Sequence, residues 1–265
     1  MLIAILALLS LIIALAVGQL VPVIFVAAFV VLAGLAFGFL WFMCKIVDLS
    51  KPQLHDSKFY RGMIRLYIQS LVPILRVHIH KTGMEKLPKN GRFMLVCNHT
   101  SDADPVILLH CFAGSQLAFI TKRENCDMFL VGKVMHKLLC QPVNRENDRE
   151  ALKTILKCIQ LLKDDEVNIA VFPEGYIHPD RKLHHFRHGV FKIATKTNVP
   201  IVVCTLQNTL QIFQNMPKWK PTHVQLHLLD VIRPEDYAGL TTVELGEKIY
   251  NMMADDLGPD LVSQE

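Results

Sequence analysis

The chain holds 265 residues, with 28 lysines and arginines against 24 aspartates and glutamates and a formal charge of +4. So mild a balance gives no case for nucleic acid as a partner and suits an anionic membrane surface or a phosphate-bearing substrate. The seven cysteines are odd in number and contain no C-x-x-C pair, which argues against a disulfide framework or a zinc site and for reduced thiols in a domain facing the cytoplasm.

The first charged residue is Lys45, and before it only Ser10 and Gln19 are clearly polar. Gly18-Gln19-Leu20-Val21-Pro22 interrupts this apolar stretch. As helices, the pieces 1–17 and 23–43 would measure about 26 Å and about 32 Å, against a bilayer core of about 30 Å. The second piece spans comfortably and the first only just. The stretch is too long for a cleaved signal peptide and has no Lys or Arg ahead of it. The expectation is a membrane anchor over 1–44, built as a hairpin of two helices or as one span plus a shallow helix.

Lys45, Lys51, Lys58, Arg61 and Arg65 follow closely, which places the rest of the chain on the cytoplasmic side by the positive-inside rule. Between Phe59 and Leu75, Arg61 and Arg65 alternate with Tyr60, Ile64, Tyr67, Ile68 and Leu71. This is the pattern of a basic amphipathic helix on anionic lipid, and equally of a surface helix packed on a domain. We take 45–75 as a membrane-surface segment and 76–265 as one undivided domain.

From residue 76 short apolar runs alternate with amphipathic stretches. Val77 to His80, Phe93 to Cys97, Leu117 to Thr121, Asn168 to Phe172, Ile201 to Leu206 and Val224 to Val231 read as strands of a mostly buried sheet. From Asn147 or Asp148 onward, Ala151, Leu152, Ile155, Leu156, Ile159 and Leu162 recur at helical spacing, with Asn147 and Glu150 as a capping signal. Thr241 to Leu257 reads as a closing helix. The alternation predicts an α/β fold with a mixed, largely parallel sheet flanked by helices, behind N-terminal membrane helices.

Four short blocks carry the candidate chemistry. In Asn98-His99-Thr100-Ser101-Asp102-Ala103-Asp104-Pro105 a histidine sits at the carboxyl end of a strand, where ligands of open α/β sheets bind. Asp104 lies five positions after His99, so the two meet only if the chain turns between them, and Thr100-Ser101-Asp102 supplies that turn. An aspartate on one ring nitrogen leaves the other to take a proton from a hydroxyl. The bland reading is a helix-capping Asp beside a hydrogen-bonded His. Val171-Phe172-Pro173-Glu174-Gly175 ends a second strand in a tight turn with a carboxylate, whose bland reading is a β-turn with a solvated Glu. Pro142-Val143-Asn144-Arg145 ends a third with a cation whose planar fork suits phosphate, or with a surface Arg paired to Glu146 or Glu150. Asn198-Val199-Pro200-Ile201-Val202 puts a proline at the start of a strand, which is structural by default.

In order and rough spacing these blocks resemble those of the glycerolipid acyltransferase family, and within it the 1-acylglycerol-3-phosphate acyltransferases of bacterial type. The resemblance covers about residues 76 to 232. It implies that His99 is the general base that deprotonates an acceptor hydroxyl for attack on an acyl thioester, and that Asp104 orients and charge-compensates it. It implies that Lys122 stabilises the oxyanion, that Arg145 binds the acceptor's phosphate, that Glu174 and Gly175 shape the acceptor site, and that Pro200 supports the acyl-chain side. No metal and no cofactor are called for, because the co-substrate, acyl-CoA or acyl carrier protein, brings an activated thioester. The implied partners are membrane lipids and a lysophospholipid acceptor, and the implied place is a bacterial cell membrane with the catalytic domain on its cytoplasmic face.

The chain departs from the family in two places. Tyr176-Ile177-His178 follows Gly175 where the family has Thr-Arg-Ser, so no phosphate role transfers to Ile177. Arg181, Lys182, His185 and Arg187 in the following loop are the candidates to compensate. Leu138-Leu139-Cys140-Gln141 replaces the glycine expected ahead of Pro142. The expected reaction is transfer to 1-acylglycerol 3-phosphate, giving phosphatidic acid. A different lysophospholipid or lipid acceptor is the alternative that Ile177 motivates, and a non-catalytic membrane lipid-binding protein is the third reading. An ester hydrolase lacks its G-x-S-x-G nucleophile.

Overall fold

Seven strands form a single sheet in the order β1-β7-β6-β2-β5-β3-β4. The computed structural model describes residues 2–17, 21–144 and 147–264. In chain order these comprise α1 (Leu2–Val17), α2 (Val21–Lys45), α3 (Lys58–Ile74), β1 (Val77–Thr82), β2 (Met94–Cys97), α4 (Asp104–Cys111), β3 (Leu117–Lys122), α5 (Arg123–Asp127), α6 (Phe129–Lys137), β4 (Gln141–Val143), α7 (Asp148–Lys163), β5 (Asn168–Val171), α8 (Lys192–Thr197), β6 (Ile201–Gln207), α9 (Leu210–Asn215), β7 (Thr222–Ile232), α10 (Pro234–Tyr237) and α11 (Thr242–Leu257). Every neighbouring pair of strands is parallel except β6 and β7. The expected mixed, largely parallel α/β sheet is therefore the observed one.

The central strands read as continuous apolar runs because both faces are covered. On one face Met94, Val96, Ile169, Val171, Ile201 and Val203 pack with Cys158, Leu161, Ile193, Leu245 and Ile249 from α7, α8 and α11. On the other Leu95, Cys97, Ala170, Val202, Cys204 and Leu206 pack with Met63, Ile64, Ile107 and Leu108 from α3 and α4. The period-two alternation of a strand produces this division. All seven cysteines are free, and five of them are buried, where a thiol acts as a small apolar side chain.

β4 is the short strand that the sequence reading ends at Pro142-Val143-Asn144-Arg145. It pairs only with β3, at the end of the sheet, and so tolerates Pro142, which cannot donate to a second neighbour. Helix α7 starts where its capping signal stands: the Asn147 side chain accepts from the Arg149 and Glu150 amides at 3.1 and 3.2 Å.

α2 is long and apolar enough to cross a membrane, and α1, at 16 residues, is shorter. α1 lies against α2. α3 is built into the domain: Met63, Ile64 and Val72 are buried, and Tyr60 Oη donates to Met43 O at 2.9 Å while Tyr67 Oη donates to Ala36 O. Arg61 does not face lipid. Its guanidinium grips Asp56 through two bonds of 2.7 Å and donates to the carbonyls of Leu117 and Leu138. Arg65 stays exposed.

Candidate active site

Where β2 ends, the chain turns through residues 98–103 and enters α4, and this turn sets the geometry. Asn98 is buried and holds the turn to β6 by a reciprocal pair: its amide donates to Leu206 O at 2.9 Å and its carbonyl accepts from Leu206 N–H at 2.7 Å. His99 Nδ1 lies 2.8 Å from Asp104 Oδ2. The same carboxylate oxygen accepts from the amides of Thr100 and Ser101, both at 2.8 Å, and Oδ1 accepts from the Thr209 hydroxyl. Asp104 is fully buried, and the four donors satisfy a carboxylate that would be costly to bury alone. The helix-capping reading of Asp104 is thus replaced by something more specific. The residue opens α4, but it faces back into the turn and organises it.

With Nδ1 engaged by Asp104, Nε2 is the ring nitrogen left to a substrate hydroxyl. The His99 ring is 15% exposed and stacks on Phe172, centroids 4.0 Å apart, with Phe119 in line behind it at 6.0 Å from Phe172. Carboxylate, aromatic plane and backbone therefore fix its position together.

Glu174 is buried, and both of its oxygens are engaged: Oε1 accepts the His99 N–H at 2.7 Å and Oε2 the His184 N–H at 3.0 Å. Burial pushes its carboxyl up to about 8, against the two amide bonds that pull it down, with Asp104 and Asp180 adding to the rise. The residue that the sequence assigns to the acceptor pocket ties the His99 turn to the loop beyond it. Gly175 makes that turn at φ +89°, and a Cβ there would come within 2.9 Å of Arg187 Nε.

Lys122 ends β3, which is separated from β2 by β5. It is half-exposed and pairs with Glu124 at 3.2 Å, and no contact joins it to His99 or Asp104 among the described residues. Arg145 lies outside the described residues. Pro200 precedes the amino end of β6, where its carbonyl accepts from Met94 N–H at 3.0 Å, so it sits at the end of the sheet opposite His99. Of the four loop cations after Gly175, Arg181 reaches the site, donating to Thr100 O at 2.9 Å.

The structure therefore brings His99, Asp104 and Glu174 together. It adds Asn98, Phe172 and Thr209, to which the sequence reading assigns no role at the site, and of the four compensating cations that reading names it brings Arg181 to the His99 turn. Thr209 is 105 positions from Asp104 and has no local signal. Phe172 and Asn98 stand inside the motif blocks, adjacent to residues the reading singles out.

Residues 78–207 match the family model described as Acyltransferase. A probable 1-acyl-sn-glycerol-3-phosphate acyltransferase of Mycoplasma pneumoniae is 27% identical over 66% of this chain and 64% of its own length. The chloroplastic 1-acyl-sn-glycerol-3-phosphate acyltransferase of Arabidopsis thaliana is 30% identical over 60% and 44%. The corresponding protein of Borreliella burgdorferi is 28% identical over 66% and 71%. The match thus spans less than two thirds of the first two relatives. The crystal structure of the 1-acyl-sn-glycerophosphate acyltransferase PlsC from Thermotoga maritima shares the fold, with a TM-score of 0.63 and 24% identity, covering 83% of this chain and 86% of that one.

Proposed function

We propose that the chain is a glycerolipid acyltransferase of the 1-acyl-sn-glycerol-3-phosphate branch, as the match of residues 78–207 and the named relatives support, and that it moves an acyl group from a thioester to the free hydroxyl of 1-acylglycerol 3-phosphate, giving phosphatidic acid. The observation that carries the reading is the buried Asp104 on His99 Nδ1, with three further donors fixed on the same carboxylate.

His99 Nε2 takes the proton of the acceptor hydroxyl as its oxygen attacks the thioester carbonyl, and Asp104 stabilises the imidazolium that forms. The tetrahedral intermediate then expels the thiolate, and His99 returns the proton to that sulfur. Base and leaving group are served by one histidine, so the cycle closes without net change in the protein. Lys122 is the cation for the oxyanion, which requires it to leave Glu124 and swing inward once substrate is bound. Arg145 binds the acceptor's phosphate, and Arg181 is the second cation beside the His99 turn, in place of the arginine that Ile177 replaces. Glu174 and Gly175 shape the acceptor site by holding the turn that carries the base. The donor is acyl-CoA or acyl carrier protein. The helix pair α1–α2 holds the domain on a bacterial cell membrane, at its cytoplasmic face. Ile177 supports a second reading, in which the acceptor is another lysophospholipid.

The test is an acyl-transfer assay in vesicles with a panel of lysolipid acceptors. Transfer to 1-acylglycerol 3-phosphate above the other acceptors supports the first reading, and preference for another lysophospholipid supports the second. Absence of transfer to any of them defeats both. Arg145→Ala and Arg181→Ala should each weaken use of phosphate-monoester acceptors more than of neutral ones, and equal losses would remove that assignment.

A further inference from the structure

Away from the reacting groups, α9 and the 3₁₀ turn Met216–Lys218 form a ledge whose surface chemistry is unusual for a soluble face. Ile212 is buried and roots it in the core, while Phe213, Met216 and Trp219 are exposed, Trp219 at 62%. Lys218 and Lys220 flank the tryptophan and are exposed as well. From Arg181 to Leu229 the chain contains no Asp or Glu at all. Large apolar side chains flanked by lysines, with a tryptophan among them, are the make-up of a surface that meets the headgroup layer of an anionic bilayer.

The position of the ledge agrees with its chemistry. Tyr60 reaches Met43 and Tyr67 reaches Ala36, so α2 runs antiparallel along α3. Seven residues further on, α3 ends at Ile74, level with Phe29 of α2. The remaining residues of α2, from Ala28 back to Val21, pass that end by about 12 Å. α1 starts beside the same end, with Leu2 N–H donating to Ser70 Oγ at 3.1 Å. The tip of the helix pair therefore leaves the domain at the carboxyl end of α3. There Arg76 Nη1 donates to Trp219 O at 2.7 Å, and Leu71 and Ile74 are exposed. Insertion of the tip brings the ledge to the lipid.

We propose that Phe213, Met216 and Trp219, with Lys218 and Lys220, form a second lipid-contact surface that seats the domain on an anionic bilayer beside its helix pair. The proposal is independent of the reaction chemistry. Each lysine near an anionic surface strengthens partitioning about fivefold, and the indole sits at the headgroup level.

The chain has two tryptophans, Trp41 and Trp219, so the full-length protein supplies its own probe of the ledge. Trp41→Phe leaves Trp219 alone, and Phe25→Trp in the chain with both tryptophans changed to Phe puts a single reporter on the projecting turns of α2. Each is incorporated into vesicles of phosphatidylcholine and phosphatidylglycerol that carry bromine at a shallow or a deep acyl position. Trp219 emission should shift to the blue and be quenched most by the shallow bromines. Lys218→Gln with Lys220→Gln, in the Trp41→Phe background, should remove most of that quenching, as should omission of the anionic lipid. An unquenched, water-like Trp219 emission beside a quenched reporter at position 25 overturns the proposal, because the helix pair is then inserted and the ledge is not. Loss of quenching for both reporters overturns it too, since neither surface then meets lipid. Quenching of Trp219 that the lysine changes leave intact overturns the electrostatic half.

Discussion

Two histidine–aspartate pairs of closely similar make occupy this molecule. His99 Nδ1 lies 2.8 Å from Asp104, and His227 Nδ1 lies 2.6 Å from Asp256. Each carboxylate also accepts a threonine hydroxyl, from Thr209 and Thr205 respectively. Their surroundings differ. Asp104 is sealed from solvent and takes two backbone amides as well, and the His99 ring is 15% exposed and stacked on Phe172. His227 and Asp256 are 41% and 20% exposed, at the rim of a polar cleft. The shorter hydrogen bond thus belongs to the more open pair. What distinguishes the buried pair is the number of fixed donors on the carboxylate and the exclusion of water around it, the conditions under which a carboxylate's charge acts at full strength.

Replacing both histidines separately tests that contrast most strongly. His99→Ala should lower acyl transfer by about 10²–10⁴-fold, the usual contribution of a general base, and His227→Ala should leave it unchanged in the same assay. A comparable loss for His227→Ala would erase the distinction. Next, Asp104→Asn should cost on the order of 10²-fold in kcat by weakening support of the imidazolium, whereas Asp256→Asn should cost nothing in kcat.

The threonines sharpen the comparison at smaller scale. Thr209→Val strips a donor from a fully buried carboxylate and should destabilise the protein by about 1–3 kcal/mol. Thr205→Val acts on a carboxylate that water can reach and should cost less. Denaturant titration in detergent measures both, and equal losses would show that the environment of the aspartate does not matter.

The last contrast is a pH dependence. Burial raises the Glu174 carboxyl to about 8, so the folded protein holds a proton there that the unfolded chain has released. Stability from this group is complete below the ordinary glutamate value and is lost as pH rises through about 8. Wild-type melting temperature should fall across that window, and Glu174→Gln should flatten this part of the curve. Parallel curves would show that Glu174 is ionised throughout.

Much of the fold is written locally. Ile201 to Leu206 and Phe93 to Cys97 announce buried strands because both of their faces are covered and Thr205 alone interrupts the apolar runs. β4 has only three residues and carries Pro142, so it is legible through its motif block and not through periodicity. The pairing of His99 with Asp104 is legible because they lie five positions apart across a turn. The rest of the site is not legible, because it depends on long-range closure. Thr209 reaches Asp104, Leu206 reaches Asn98, and Glu174 spans two loops to hold the amides of His99 and His184. A sequence also cannot say which way a cation turns. Arg61 belongs to a basic stripe by its spacing, but Asp56 and two carbonyls draw it inward.

Gly175 has a consequence for anyone who maps this protein by saturation mutagenesis. Its positive φ strains any side chain, and the guanidinium of Arg187 must move aside to admit one, so two unrelated causes oppose substitution. In a library scored by survival, the position would be as intolerant as His99 although it holds no reacting atom. Pairing Gly175→Ala with Arg187→Ala relieves the collision and leaves the backbone strain of about 1–2 kcal/mol. Partial rescue by the pair, which no second change gives His99→Ala, would separate positions closed by shape from those closed by chemistry.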